Sequence, residues 1–182
     1  MIDPLLAKAL AMVFALLFAG AAWHKLADRG GFVAALRNYQ ILPTIACRPM
    51  GLIIPLVELA LAACWLSGLF VPAIAVTSVL LLGIYALAIG VNLVRGRVHI
   101  DCGCGFANAS TKEQLLSWGL VLRNLVLMGM AGLIILPSNE RALTFADYIV
   151  AFVAVLTALI LFAGMEQLIK NRAAIRTWRD TT

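Results

Sequence analysis

Five long apolar runs constrain this chain more than anything else in it, because a run of about 20 residues without charge is the length a helix needs to cross a hydrocarbon layer about 30 Å thick. They run from Leu5 to Trp23, Met50 to Leu66, Pro72 to Val94, Leu115 to Leu136 and Leu143 to Gly164. In lipid every backbone N–H and C=O must be satisfied internally, so a span is either a helix or a strand of a closed barrel. The alternation of apolar and polar residues that a barrel strand shows is absent from these runs. With 63% hydrophobic residues, 13% charged and a mean hydropathy of +1.00 over 182 residues, the chain holds more apolar surface than one soluble core could bury. The expected fold is an all-α membrane protein of one domain, with spans at about 5–24, 50–66, 72–94, 115–136 and 143–165. The first run could also be a signal peptide ending at the small residues Ala19 to Ala22, but Asp3 offsets Lys8 ahead of it, and a membrane helix is the expectation.

The net charge of +5 would suggest nucleic acid in a soluble protein. Here the basic residues flank apolar spans and report topology instead. Five crossings put Lys25, Arg29, Arg37, Arg48, Arg95, Arg97, Lys112, Lys170, Arg172, Arg176 and Arg179 on one face, with Lys8 and Arg141 on the other and Arg123 inside the membrane. The positive-inside rule places the first face in the cytoplasm.

Two charges fall within spans. Glu58 and Arg123 each sit eight residues into a span that starts from the basic face, roughly 12 Å deep at the helical rise. Isolated charges at such depth are costly and usually face the bundle interior in pairs, so a Glu58–Arg123 ion pair is expected. Pro55, one turn before Glu58, and Asn124, beside Arg123, would bend and hydrogen-bond the same region. The pair could equally be a bundle-fixing contact without chemistry. His24 and Lys25 close the first span and Asn92 lies near the end of the third, which marks the basic face as the working one; alternatively His24 and Lys25 sit with Trp23 among the headgroups.

Thiol chemistry is the sharpest functional signal. Cys102 and Cys104 lie in the segment His99-Ile100-Asp101-Cys102-Gly103-Cys104-Gly105-Phe106, just outside the third span. With a permissive glycine between them, two cysteines this close can reach disulfide geometry. So small a ring is strained, and a strained, accessible disulfide is oxidising and labile. Cys47, expected in the loop between the first two spans, could serve as a third thiol, whereas Cys64, near the far end of the second span, is expected to be a buried packing residue. Two alternatives stay open: a metal site built from Cys47, His99, Cys102 and Cys104, for which the ligand spacing is poor, and inert loop cysteines.

His24-Lys25-Leu26 at the end of the first helix, Pro55-Leu56-Val57-Glu58-Leu59 in the second, Arg95-Gly96-Arg97 leading into Asp101-Cys102-Gly103-Cys104-Gly105-Phe106, and Trp118 with Arg123-Asn124 in the fourth together resemble the methylamine utilisation protein MauE family. The likeness covers most of the chain, and the Asp-Cys-Gly-Cys segment is its most specific mark. Gly105-Phe106 stands where Phe-Gly is expected, and Cys47 and Cys64 match no motif of the family. The family is related to DoxX-like membrane proteins, so the resemblance implies a four-helix transmembrane bundle of DoxX/VKOR-like type plus a fifth transmembrane helix, in the bacterial inner (cytoplasmic) membrane. It further implies a role in disulfide formation in the small subunit of methylamine dehydrogenase, with the periplasmic thioredoxin-like protein MauD as partner. In architecture alone the arrangement is similar to the DsbB and vitamin K epoxide reductase type of disulfide generator, which passes electrons to a membrane quinone.

A generator needs the cysteine face in the periplasm, against the charge bias. If the charges prevail, a reductive conduit from the cytoplasm results, but that conduit needs a second cysteine pair on the far face, and Cys64 is alone there. The generator is therefore the expected function, with Glu58 and Arg123 handling a proton or polarising a quinone oxygen. From other classes come a non-catalytic scaffold or chaperone for the thioredoxin-like partner, and a metal transporter.

Overall fold

The computed structural model describes residues 3–97, 116–135 and 144–180. All regular structure among them is helical: α1 (Pro4–Ala27), α2 (Arg29–Tyr39), α3 (Thr44–Ser67), α4 (Val71–Val94), α5 (Trp118–Leu133) and α6 (Phe145–Asp180). Each of α1, α3 and α4 has 24 residues, about 36 Å at the helical rise, and the apolar part of α6, Phe145–Met165, has 21. These four helices are long and apolar enough to cross a membrane. The fourth expected span is a shorter apolar helix, α5, of 16 residues.

Local chemistry explains the helix ends. Asp3 caps α1 by accepting from the Leu5 N–H at 2.8 Å, with Pro4 at the first helical position, where its missing N–H costs nothing. Gly68 ends α3 in the left-handed region (φ 66°), its N–H returning to the Cys64 carbonyl. Pro49 and Pro55 lie inside α3, and Pro55 leaves the Gly51 carbonyl without its helical donor.

Two boundaries differ from expectation. The stretch between the first spans is not a loop: after Asp28, whose carboxylate accepts from the Gly31 N–H at 2.9 Å, the chain re-enters a helix, α2, that buries Phe32, Ala35 and Tyr39 on one face and exposes Arg29 and Arg37. This amphipathic helix packs on α3 so closely that a Cβ on Gly51 would lie 2.3 Å from Val33 Cγ2. The second span also starts early, at Thr44.

Helix α1 pairs with α3, α4 with α5, and contact between α3 and α4 joins the pairs into a bundle. One core unites them: Phe14 and Phe18 from α1, Leu61 and Trp65 from α3, Ile74 and Leu82 from α4, and Ala131 from α5. The Phe14 and Trp65 rings stack at 5.4 Å, and the Trp65 indole N–H donates to Ser78 Oγ at 3.1 Å, so the indole meets its polar need inside the apolar core. Helix α6 lies against α1 through Ala9, Val13 and Val155 and turns Phe152, Ile160 and Leu161 outward. An apolar face of that kind is at home in lipid.

Candidate functional site

Five polar side chains meet at the centre of this bundle. Lys25, in the last turn of α1, turns inward and is 1% exposed. Its ammonium forms an ion pair with Glu58 Oε1, and the Tyr85 hydroxyl on α4 donates to the same oxygen at 2.7 Å. Glu58 is fully buried, one turn beyond Pro55. The Lys25 Nζ also lies 5.0 Å from the centre of the Tyr85 ring and 5.5 Å from that of Phe32, within cation–π range. Arg123 and Asn124 on α5 line the same cavity, and the Arg123 guanidinium faces the Phe162 ring of α6 at 5.5 Å. Phe14, Leu17, Phe18, Leu82 and Leu127 complete walls that are mostly apolar. The free space between them is about 60 Å³.

This geometry corrects the expected pairing. Glu58 takes Lys25 as its partner and not Arg123. The physical reason is the early start of α3: Glu58 lies about 21 Å along its helix and Arg123 only about 8 Å along α5, so equal depth counted from expected span ends did not hold. Lys25, by contrast, leaves the helix end with a stem long enough to reach inward, so it does not sit among the headgroups. Trp23 is 77% exposed, and His24 beside it is half-buried. Asn92 is buried and spends its amide on the Ala88 carbonyl at 2.9 Å within its own helix. Two members of the site escaped notice in the sequence, Tyr85 and Phe162. Tyr85 left a trace: it is the one aromatic residue in α4, and a phenol within a span must find a hydrogen-bond partner.

The cysteines divide. Cys102 and Cys104, with His99, lie outside the described residues. Cys47 is in the first turn of α3 rather than in a loop, completely buried, with its thiol directed to the Pro43 carbonyl at 3.6 Å. Cys64 is exposed on the outer face of α3, not packed in the core, because it follows the buried pair Leu61 and Ala62 on the wrong side of the helix. Among the described residues no three His, Cys, Asp or Glu side chains gather into a set that could hold a metal ion.

A second concavity runs between α4 and α5. It is an apolar groove of about 680 Å³, floored by Gly83, Ala86 and Gly90 and flanked by Met128 and Leu125, with Arg95 and Trp118 at its rim. In sequence those two residues stand on either side of residues 98–115, which carry Cys102 and Cys104 and lie outside the described residues.

A profile of the family described as methylamine utilisation protein MauE matches residues 3–137. Two proteins named methylamine utilization protein MauE show how far the similarity extends. The one from Paracoccus denitrificans is 44% identical over 132 residues, covering 72% of this chain and 69% of its own. The one from Methylorubrum extorquens is 36% identical over 181 residues, covering 92% of each. No solved structure matches the chain. The profile takes in α1 through α5, and with them every polar residue of the buried site, so the chain belongs to the MauE family of methylamine utilisation proteins.

Proposed function

We propose that this protein is a thiol–disulfide exchange protein of the bacterial inner membrane, acting in methylamine utilisation by keeping a periplasmic thioredoxin-like partner, MauD, competent to form disulfides in the small subunit of methylamine dehydrogenase. The observation that carries the proposal is the Cys102-Gly103-Cys104 pair in a MauE-family chain, in the stretch of sequence between the apolar helices α4 and α5.

In the exchange, a thiolate of the partner attacks one sulfur of the Cys102–Cys104 disulfide. That S–S bond breaks and a mixed disulfide forms. The partner's second thiol attacks the mixed disulfide, leaving the partner oxidised and Cys102 and Cys104 as a dithiol, two electrons and two protons richer. A membrane quinone supplies the matching two-electron, two-proton oxidant. The groove between α4 and α5 has space for such a group: its 680 Å³ exceeds the roughly 150 Å³ that admits a benzene ring, its walls are apolar, and Trp118 and Arg95 would hold a ring and a carbonyl. The cavity at Glu58 and Arg123, about 60 Å³, has no room for a ring, so a quinone would sit in the groove instead. Cys47 is left out of the exchange because its sulfur is completely buried. A reductive conduit lacks a second cysteine pair at the far end of the bundle, where Cys64 is a single exposed thiol.

Replacing Cys102 and Cys104 by serine tests the proposal against a non-catalytic scaffold. Exchange chemistry predicts loss of mature small subunit with the membrane protein still present, and a mixed disulfide with the partner trapped by one of the single replacements. Undiminished maturation by the double replacement would sink exchange and leave the scaffold.

A further inference from the structure

Helix α3 is longer than its apolar run. Residues 44–49 precede the run at Met50, and six residues rise about 9 Å along a helix. A bilayer has about 5–8 Å of headgroup region on each side of its hydrocarbon core, so these first turns lie at headgroup level. Helix α2 lies there with them. Its Val33 meets Gly51 beside the start of the run, and its last residue, Tyr39, packs with Ile89 and Leu116. The face of α2 turned away from the bundle carries Arg29 and Arg37, both exposed, and Arg48 is exposed on the first turns of α3. Exposed apolar side chains stand among them: Ile45 is 86% exposed, Trp23 77% and Ile41 47%. From Trp23 to Arg48 the one acidic residue in the sequence is Asp28, whose carboxylate is spent on the Gly31 N–H as the cap of α2. The fourth basic residue of that stretch, Lys25, turns inward to Glu58.

We propose that this shoulder of the bundle is a binding surface for acidic phospholipid, with the lipid phosphate held by Arg29, Arg37 and Arg48 and the acyl chains against Ile41, Ile45 and Trp23. The two kinds of side chain need different surroundings. Guanidinium groups take phosphate oxygens through paired N–H donors. The isoleucines are stabilised only where their apolar area leaves water, which the boundary between headgroups and chains allows. An indole is at home at the same level, with its ring among the chains and its N–H in the wet layer. A phospholipid meets both needs in one molecule, whereas a soluble phosphate meets the first alone. Three arginines against one capped carboxylate select a lipid whose headgroup is negative overall over one whose own ammonium cancels its phosphate. The surface stands independently of the cysteine chemistry.

The test uses the full chain with Trp118 and Trp178 replaced by phenylalanine, which leaves Trp23 exposed and Trp65 in the core as its indoles. The protein is reconstituted in vesicles of phosphatidylcholine and phosphatidylglycerol, one lipid at a time carrying brominated chains, which quench an indole beside them. Quenching of Trp23 gives an association constant at least tenfold higher for phosphatidylglycerol, since each arginine near an anionic surface contributes about fivefold. Arg29→Gln, Arg37→Gln and Arg48→Gln together abolish the preference. Should that variant fail to fold, Arg37→Gln alone carries the test: the preference falls about fivefold, and Arg37→Lys retains most of it. Excess inorganic phosphate, compared with sodium chloride at matched ionic strength, leaves the preference in place, because the lipid is also held by its chains. Equal quenching by the two lipids, a preference that Arg37→Gln leaves unchanged, or its loss to inorganic phosphate would overturn the proposal.

Discussion

Replacing Glu58 by glutamine keeps the shape of the side chain and an oxygen for Tyr85, but removes the one carboxylate among the described residues lining the cavity. Lys25 and Arg123 then line the cavity as two buried cations without that carboxylate. Removing one member of a buried pair generally costs about 3–5 kcal/mol, because the other is left uncompensated. For a chain of 150–250 residues that is a fall in melting temperature of roughly 6–20 °C. Lys25→Met behaves differently. It leaves Glu58 in the same cavity as Arg123, so the acid can re-pair and the net charge falls to zero; the cost should be less than half that of Glu58→Gln. Combining Lys25→Met with Glu58→Gln should recover part of the loss, with a coupling of about 2 kcal/mol or more. Thermal unfolding of the purified variants measures all three. If Lys25→Met is as destabilising as Glu58→Gln, or if the two effects simply add, the cavity is not organised around this charge balance.

Two further outcomes follow from packing. Gly51→Ala places a methyl group against Val33, a β-branched side chain with little freedom to move aside, and should cost about 1–3 kcal/mol in thermal unfolding; Val33→Ala in the same chain should restore most of it. In detergent-solubilised protein with Cys102 and Cys104 replaced by serine, N-ethylmaleimide should modify Cys64 and spare Cys47 until the protein is denatured, as mass spectrometry of the peptides will show; early labelling of Cys47 would contradict its burial.

Much of the buried site was legible one residue at a time. Glu58 and Arg123 stood out because charges in apolar runs must be compensated, and Asn124 and Lys25 by their place beside them. The pairing was not legible, because it depends on where each helix begins in space. Thr44 opens α3 six residues before the apolar run does, since a helix can carry Cys47, Arg48 and Pro49 on its first turns while only the later ones are in lipid. Helix α2 was missed for a related reason: Phe32, Ala35 and Tyr39 recur at helical spacing, but over a stretch too short and too charged to register among the spans. Cys47 and Cys64 exchanged surroundings, the first buried and the second exposed, because burial depends on which face of α3 meets α1 and α2.

By itself the sequence determined that this chain is a helical membrane protein, which residues cannot face lipid unaided, and, through Asp101-Cys102-Gly103-Cys104, which family it resembles. Those properties depend on composition and spacing along one dimension. Tertiary structure alone decided that Lys25 and Tyr85 close on Glu58, that Arg123 and Asn124 keep donors unspent, and that a groove large enough for a ring opens between α4 and α5. Each of these depends on the relative height and rotation of neighbouring helices, which packing sets and hydropathy does not encode.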